Sequence, residues 1–184
     1  MNLLMRSAVI VVVWCSMIVS VFAASNNGNI TFTGKVTKGT CSTAVVGDSG
    51  SVNMLDVGVG DFTAKSDAKG DTDFKIELKN CKSSGSSLVK VAFTGGADSD
   101  DTKVLRNNAK GSAAVGVGIG IYKKSDGSQI AIGSVPVDVD TLPARNTAFN
   151  KELPFIAKYV ATKDIADIKA GLVTANANFT VSYD

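Results

Sequence analysis

The last fourteen residues of the chain, "GLVTANANFTVSYD" (171–184), favour one fold class more strongly than any other stretch. From Ala175 to Asp184, small or apolar side chains alternate with polar ones. A period of two is typical of a β-strand with one buried face and one solvated face. The chain ends one residue after the last apolar position, at Asp184. Two questions follow: which strand pairs with this segment, and what covers its apolar face.

The same period of two recurs along the chain in short segments. Apolar and polar side chains alternate in "NITFTGKVT" (29–37), "DFKIELKN" (73–80), "LVKVAFT" (88–94), "AVGVGIGIYKK" (114–124) and "LPFIAKYV" (153–160). In the fourth of these segments we expect one face to carry Val115, Val117, Ile119 and Ile121. Many short alternating segments between turn signals favour an all-β sandwich or barrel.

The connecting stretches are predicted from their composition. Residues 66–73 and 95–103 are rich in Asp, Gly and Ser, so we expect both to be exposed loops. Only residues 162–171 resemble a helical turn, with Ile165 and Ile168 three positions apart, and this stretch is too short to alter the fold class.

The first 23 residues are predicted to be a secretory signal peptide. Arg6 precedes an apolar stretch at 8–22, which ends with small residues at the −3 and −1 positions before cleavage after Ala23. The stretch is short for a membrane span, and no positive residue follows it directly. Removing 23 of the 184 residues leaves 161, which is one domain large enough for a core.

Cleavage would remove Cys15 and leave two cysteines, Cys41 and Cys81, in the exported chain. Two cysteines in an exported protein predict one disulfide bond. A metal site is the alternative, but two thiols without a histidine make a poor ligand set. We therefore expect no metal and no cofactor.

Composition also argues against catalysis and against nucleic acid binding. Without Arg6 the chain has 18 basic and 17 acidic side chains, and no basic stripe with interleaved aromatic residues. The segment "GDSGS" (47–51) resembles the nucleophile region of trypsin-like serine proteases. Because the chain contains no histidine, that serine has no imidazole base. We expect neither an enzyme nor a nucleic acid partner.

Several segments together resemble type 1-like fimbrial subunits of the bacterial chaperone–usher pathway. "NITFTGKVTKGTC" (29–41) is similar to the donor segment that leads into the first cysteine of that family. "DFKIELKNC" (73–81) resembles the strand that ends at the second cysteine. Two mid-chain segments, "VGVGIGIY" (115–122) and "LPFIAKYV" (153–160), resemble core strands of the family. The most specific match is C-terminal: Gly171 stands fourteenth from the end, and the penultimate residue is Tyr183.

The resemblance implies an incomplete immunoglobulin-like β-sandwich that lacks its last strand. Residues 1–23 would be the signal peptide, residues 24–38 a donor-strand extension, and residues 39–184 the pilin domain. In this family the extension of one subunit completes the sandwich of the next by strand addition. The donor residues would be Ile30, Phe32, Gly34 and Val36. The C-terminal assembly strand would contain Gly171, Phe179, Val181 and Tyr183.

The resemblance also implies the partners and the location. Other pilus subunits, with a homopolymer expected, a periplasmic chaperone and an outer-membrane usher would bind the chain. It would be exported through the periplasm into a fimbria on a Gram-negative cell surface and support cell adhesion. One alternative stays open from the sequence: residues 24–38 could fold back and complete their own domain. The protein would then be a self-complemented periplasmic or secreted β-sandwich that binds a ligand.

Overall fold

The computed structural model describes most of the chain: residue 36 and residues 38–46 and 50–184. The described residues belong to one unit, Lys35–Asp184. The predicted signal peptide (1–23) lies outside them, as do three of the predicted donor residues: Ile30, Phe32 and Gly34. Across the described residues, no helix has the length and apolar character needed to cross a membrane.

The described residues form strands that connect through loops and two short 3-10 helices. The strands are β1 (Gly39–Thr40), β2 (Thr43–Val46), β3 (Ala68–Ser83), β4 (Ser87–Gly95), β5 (Val117–Lys123), β6 (Gln129–Ile130), β7 (Val137–Leu142), β8 (Arg145–Ala161) and β9 (Ala177–Tyr183). The 3-10 helices are Val59–Asp61 and Ile165–Asp167.

These strands make two antiparallel sheets. The larger sheet has the order β1-β3-β8-β5-β6, and β2 also pairs with β3. The smaller sheet has the order β7-β4-β9. The long strands β3 and β8 form the middle of the larger sheet, with paired residues from Ala68↔Val160 to Ser83↔Arg145.

The predicted alternation in the central strands is confirmed, and it builds the core. In β3, Ile76 and Leu78 are fully buried, whereas Lys75 between Phe74 and Ile76 is exposed. Phe93 of β4 meets Phe155 of β8 edge to face, with ring centroids 5.4 Å apart. This contact joins the two sheets, and each such buried side chain contributes about 1.5–3 kcal/mol to folding. The fold is therefore the predicted all-β sandwich.

The prediction of an exposed loop at 66–73 is wrong, because β3 already begins at Ala68. The register of β3 on β8 shifts between Lys69 and Thr72, and Gly70 has a φ of +72° at that point. A β-bulge with glycine in the left-handed region lets a turn-like sequence continue as a strand.

The predicted face of the fourth segment is correct from Val117 onward but wrong at Val115. Val117, Ile119 and Ile121 are buried, whereas the Val115 side chain is 40% exposed. Strand β5 begins only at Val117, and Val115 instead forms an isolated bridge with Lys169. The second sheet does not cover Val115 at this position. In the predicted helical turn, one 3-10 helix forms at Ile165–Asp167.

Candidate functional site

Strand β9, which contains seven of the last fourteen residues, pairs with β4 along one side. The register runs from Val89↔Tyr183 to Gly95↔Ala177, and the Asp184 N–H donates to the Leu88 carbonyl. In an antiparallel ladder, alternate residues direct their backbone groups to the same neighbour. Every second residue before Asp184 therefore directs its N–H and C=O groups toward β4. Phe179 and Val181 lie between those residues and direct their N–H and C=O groups away from β4.

The chain before β9 continues the same alternation beyond the end of β4. The Leu172 N–H donates to Ser112 O at 2.7 Å, and the Leu172 carbonyl accepts from the Ala114 N–H at 2.9 Å. The Thr174 carbonyl accepts from the Asn108 N–H at 2.7 Å. The backbone groups of Leu172 and Thr174 are therefore bonded to the 107–114 loop. The backbone groups of Val173 and Ala175 point away from that loop.

The result is one continuous backbone edge, which we call the strand-accepting edge: Val173, Ala175, Ala177, Phe179 and Val181. In the described part of the chain, none of these five residues pairs with another strand on this side. The side chains of Val173, Ala175, Phe179 and Val181 pack against the core. An extended edge with unpaired backbone groups is a template for strand addition.

A second extended segment, residues 51–57, forms the opposite wall. Within the described residues it belongs to no sheet, although it runs between β2 and the first 3-10 helix. Val52 and Met54 pack half-buried against the main core, and Val57 packs against a smaller cluster around Phe62. The segment is therefore held by its side chains, and its backbone makes no hydrogen bond to the backbone of another described residue.

Between the two walls lies a groove of about 880 Å³. Its floor consists of core side chains from both sheets: Phe74, Phe93, Leu105, Ile119, Ile121 and Ala157. Among the described residues, no group of three or more His, Cys, Asp or Glu side chains could hold a metal ion. An apolar floor beneath two extended walls suits an extended peptide with alternating apolar side chains.

The predicted disulfide bond is present between Cys41 and Cys81. It lies close to the end of β9, because the Cys41 backbone hydrogen-bonds to the half-buried Tyr183. Burial raises the pKa of Tyr183, and the hydrogen bond from Cys41 opposes this shift only in part. The disulfide and the penultimate tyrosine thus form one connected structure.

Gly171 precedes β9 rather than lying in it, and its position has a steric cause. A Cβ atom there would lie 2.5 Å from both the Ala114 nitrogen and the Ser112 oxygen. Such distances are far below van der Waals contact, so only glycine lets this backbone approach the 112–114 segment. Phe179, Val181 and Tyr183 lie within β9.

The other predicted site residue that the structure describes is Val36. Its side chain is fully exposed, so it fills no part of its own domain.

Sequence reasoning missed three polar residues that position β9 and its approach. The Ser87 hydroxyl donates to the Asp184 carbonyl at 2.9 Å, and Lys90 forms an ion pair with the Asp184 carboxylate. The hydrogen bond and the negative charge of Asp184 raise the pKa of Lys90. The third residue is Asn107, whose side chain bonds to the 172–174 segment. Single polar residues far away in sequence carry no periodic signal. The segment 51–57 did carry a signal in the sequence, since apolar residues recur from Val52 to Val59.

Comparison with known proteins gives consistent matches over most of the chain. The fimbrial protein family matches residues 30–184. Long polar fimbria protein A of Salmonella typhimurium is 32% identical over 166 residues, which cover 90% of this chain and 89% of the relative. The probable major fimbrial subunit LpfA of Escherichia coli O157:H7 is 30% identical with the same coverage.

Solved structures agree with the fold. A type I fimbria protein of Burkholderia pseudomallei is 29% identical and superposes with a TM-score of 0.57, covering 77% of this chain and all of that one. The P pilus rod subunit PapA has a TM-score of 0.57 over 77% of this chain and 99% of that one. At 19% identity, the second match shows a shared fold alone.

Proposed function

The chain belongs to the fimbrial protein family, and on that premise we propose that it polymerises by donor-strand complementation between copies. It is a structural subunit of a fimbria, as its relatives are. The observation that carries the proposal is the groove, where an apolar floor lies beside the strand-accepting edge. A strand inserted there would cover core side chains and satisfy backbone groups on both walls.

The described residues at the start of the domain support the position of the donor. The Lys38 carbonyl accepts from the Ser84 N–H at 2.8 Å, so the chain is engaged in its own domain from Lys38 onward. The exposed Val36, two residues earlier, is free to reach another copy. This supports a donor within residues 24–38, followed by a pilin domain at 39–184.

The length of the edge also fits the predicted donor. Because a strand presents every second residue to one face, five edge residues match a donor of about nine residues. Residues 28–36 would place five residues along the groove: Gly28, Ile30, Phe32, Gly34 and Val36. The three large side chains among them would contribute about 1.5–3 kcal/mol each by burial, and each ladder hydrogen bond about 0.5–1.5 kcal/mol.

The same groove explains the proposed partners. Before assembly it would expose apolar floor and unpaired backbone, which makes a free subunit prone to aggregation. We therefore propose that a periplasmic chaperone fills the groove first and that an outer-membrane usher directs the exchange. This route requires export, with cleavage of the signal peptide after Ala23. A contact between two different surfaces can propagate into an open filament, which would support cell adhesion.

The test uses a chain that begins at Ala24 and a shorter chain that lacks residues 24–36. A synthetic peptide of residues 24–36 is added to the shorter chain, and the melting temperature is measured. We expect a clear increase, because the peptide fills the groove. The matched control is the same peptide with Phe32→Asp, which would place an unpaired carboxylate over an apolar floor and give no increase.

Two results would contradict the proposal: no gain from the natural peptide, or an equal gain from the Phe32→Asp peptide. A chain beginning at Ala24 that remains a stable monomer at high concentration would instead favour the self-complemented β-sandwich.

A further inference from the structure

We propose that Asn107 is a positioning residue that lengthens the strand-accepting edge from three residues to five. The proposal rests on the function proposed above, since it concerns how the same groove accepts a strand. Strand β4 supports β9 only as far as the pair Gly95↔Ala177. Beyond that pair, Val173 and Ala175 would have no sheet behind them to keep their backbone extended.

The Asn107 side chain takes the place of the missing strand. Its Nδ2 donates to Leu172 O at 2.8 Å and to Ala114 O at 3.0 Å. Its Oδ1 accepts from the Thr174 N–H at 3.0 Å and from the Ala109 N–H at 2.9 Å. One amide group therefore uses both of its donor hydrogens and both acceptor positions, which is the full capacity of an asparagine side chain.

The two bonds to Leu172 and Thr174 lie on the side of the segment that faces away from the groove, and the other two hold Asn107 in its own loop. Leu172 and Thr174 are bonded to the loop, so Val173 and Ala175, with alternate orientation, present their N–H and C=O groups to the groove. The close approach that Gly171 permits brings the 112–114 segment near enough for the Ala114 bond. Asn107 and Gly171 thus fix the same short stretch from two directions.

Loss of the Asn107 amide would have a local consequence. The Thr174 N–H would lose its acceptor, and the 172–174 stretch would keep only its backbone bonds to the loop. An extended segment with fewer anchors opens more often, so a bound donor strand would lose its hydrogen bonds to Val173 and Ala175 first. Phe179 and Val181, which β4 supports directly, would keep theirs.

The test is amide hydrogen exchange on the shorter chain that lacks residues 24–36, measured with and without an excess of the synthetic peptide of residues 24–36. In this experiment the natural chain is that shorter chain with Asn107 unchanged. In the natural chain, the peptide should slow exchange at Val173 and Ala175 as well as at Phe179 and Val181. In Asn107→Ala, protection at Val173 and Ala175 should fall by about tenfold, which is the effect of losing one modest hydrogen bond. Protection at Phe179 and Val181 should be unchanged.

Two further variants make the test specific. Asn108→Ala is the matched control, because the Asn108 side chain bonds to Arg106 and only its backbone contacts Thr174. It should behave as the natural chain does. Asn107→Asp keeps an oxygen for the Thr174 N–H but places its second carboxylate oxygen against the Leu172 and Ala114 carbonyl oxygens, so we expect a loss at Val173 and Ala175 at least as large as in Asn107→Ala.

The outcomes separate the two proposals. Unchanged protection at Val173 and Ala175 in Asn107→Ala would overturn the role of Asn107, as would an equal loss at all four residues, which indicates general destabilisation. If the peptide protects none of the four residues in the natural chain, donor-strand complementation itself is wrong. Protection of Phe179 and Val181 alone in the natural chain would leave strand donation standing and refute the lengthened edge.

Discussion

The two long sides of the sandwich differ in how their backbones are satisfied. On one side, β3 and β8 pair from Ala68↔Val160 to Ser83↔Arg145, and ion pairs such as Lys158–Asp71 at 2.8 Å cross their outer face. On the other side, the segment 51–57 and the strand-accepting edge stand apart with a groove between them. Both sides share one core, because Phe93 and Ile121 belong to it and also reach the groove floor.

The difference indicates what kind of partner is missing. A pocket for a small ligand would present a few polar groups around an enclosed apolar space. This groove is instead lined along one wall by the strand-accepting edge, whose backbone groups can pair with a further strand, and polar side chains such as Asp56 and Lys169 also line it. The closed side therefore holds the fold together, and the groove side is the one that we propose accepts a further strand.

The largest expected effect comes from removing residues 179–184, which are the part of β9 that closes the smaller sheet. The deletion removes the partners of Phe93, Val91 and Val89 and uncovers the core. We expect no stable subunit and no co-purification with the chaperone. The control is Thr180→Ala, an exposed position that should retain both. Normal recovery of the truncated subunit would refute the importance of this strand.

The comparison between the two sides is sharpest in a pair of phenylalanines. Phe155→Ala on the closed side should lower the free energy of unfolding by about 3–5 kcal/mol, with or without the donor peptide, because the ring is 1% exposed. Phe179 on the open side is only half-buried, so Phe179→Ala should lower the free energy of unfolding of the peptide-free chain by less. It should also reduce the stabilisation that the peptide provides. Denaturant unfolding with and without peptide measures both. Identical behaviour of the two variants would remove the distinction between the sides.

Loss of the disulfide should have the next largest effect. Cys81→Ser should lower stability by about 2–5 kcal/mol, because the bond closes a loop across 40 residues of sequence separation. The change should also loosen Tyr183, whose hydrogen bond comes from the Cys41 backbone. Thermal unfolding with and without a reductant checks this, since the reductant should affect only the natural chain. Equal melting temperatures for the natural chain before and after reduction would contradict it.

The smallest effect concerns the pH dependence of stability. Burial raises the pKa of Tyr183 in the folded chain, so folding favours the neutral phenol. The resulting stabilisation is fully present below the unfolded pKa of about 10 and is lost as the pH rises through the folded value. Tyr183→Phe should therefore weaken the loss of stability above about pH 10.

Tyr159, whose pKa burial also raises, provides the comparison on the larger sheet. Denaturant unfolding between about pH 8 and 11 measures each contribution through Tyr159→Phe and Tyr183→Phe. An unchanged alkaline profile in Tyr183→Phe would show that its phenol is not perturbed.

The sequence by itself determined the fold class, the central strands and the disulfide. Period-two alternation is a local property, because side chains on a strand must alternate between faces wherever the strand lies. For that reason Ile76 and Leu78, Val89 and Val91, and the apolar face of β9 were predictable without any knowledge of their partners. The two cysteines could be paired because cleavage of the predicted signal peptide would leave no third thiol in the chain.

Only the tertiary structure decided which backbone edges pair with one another among the described residues. Pairing joins residues far apart in sequence, so the bulge at Gly70, the exposure of Val115 and the amide bonds of Asn107 left no periodic trace. The sequence raised the question of what pairs with its last strand, and the structure gives half of the answer. Strand β4 occupies one side because its residues match the register of β9. On the opposite side no strand of the described residues pairs with β9, because the nearest wall, residues 51–57, lies across a groove of about 880 Å³.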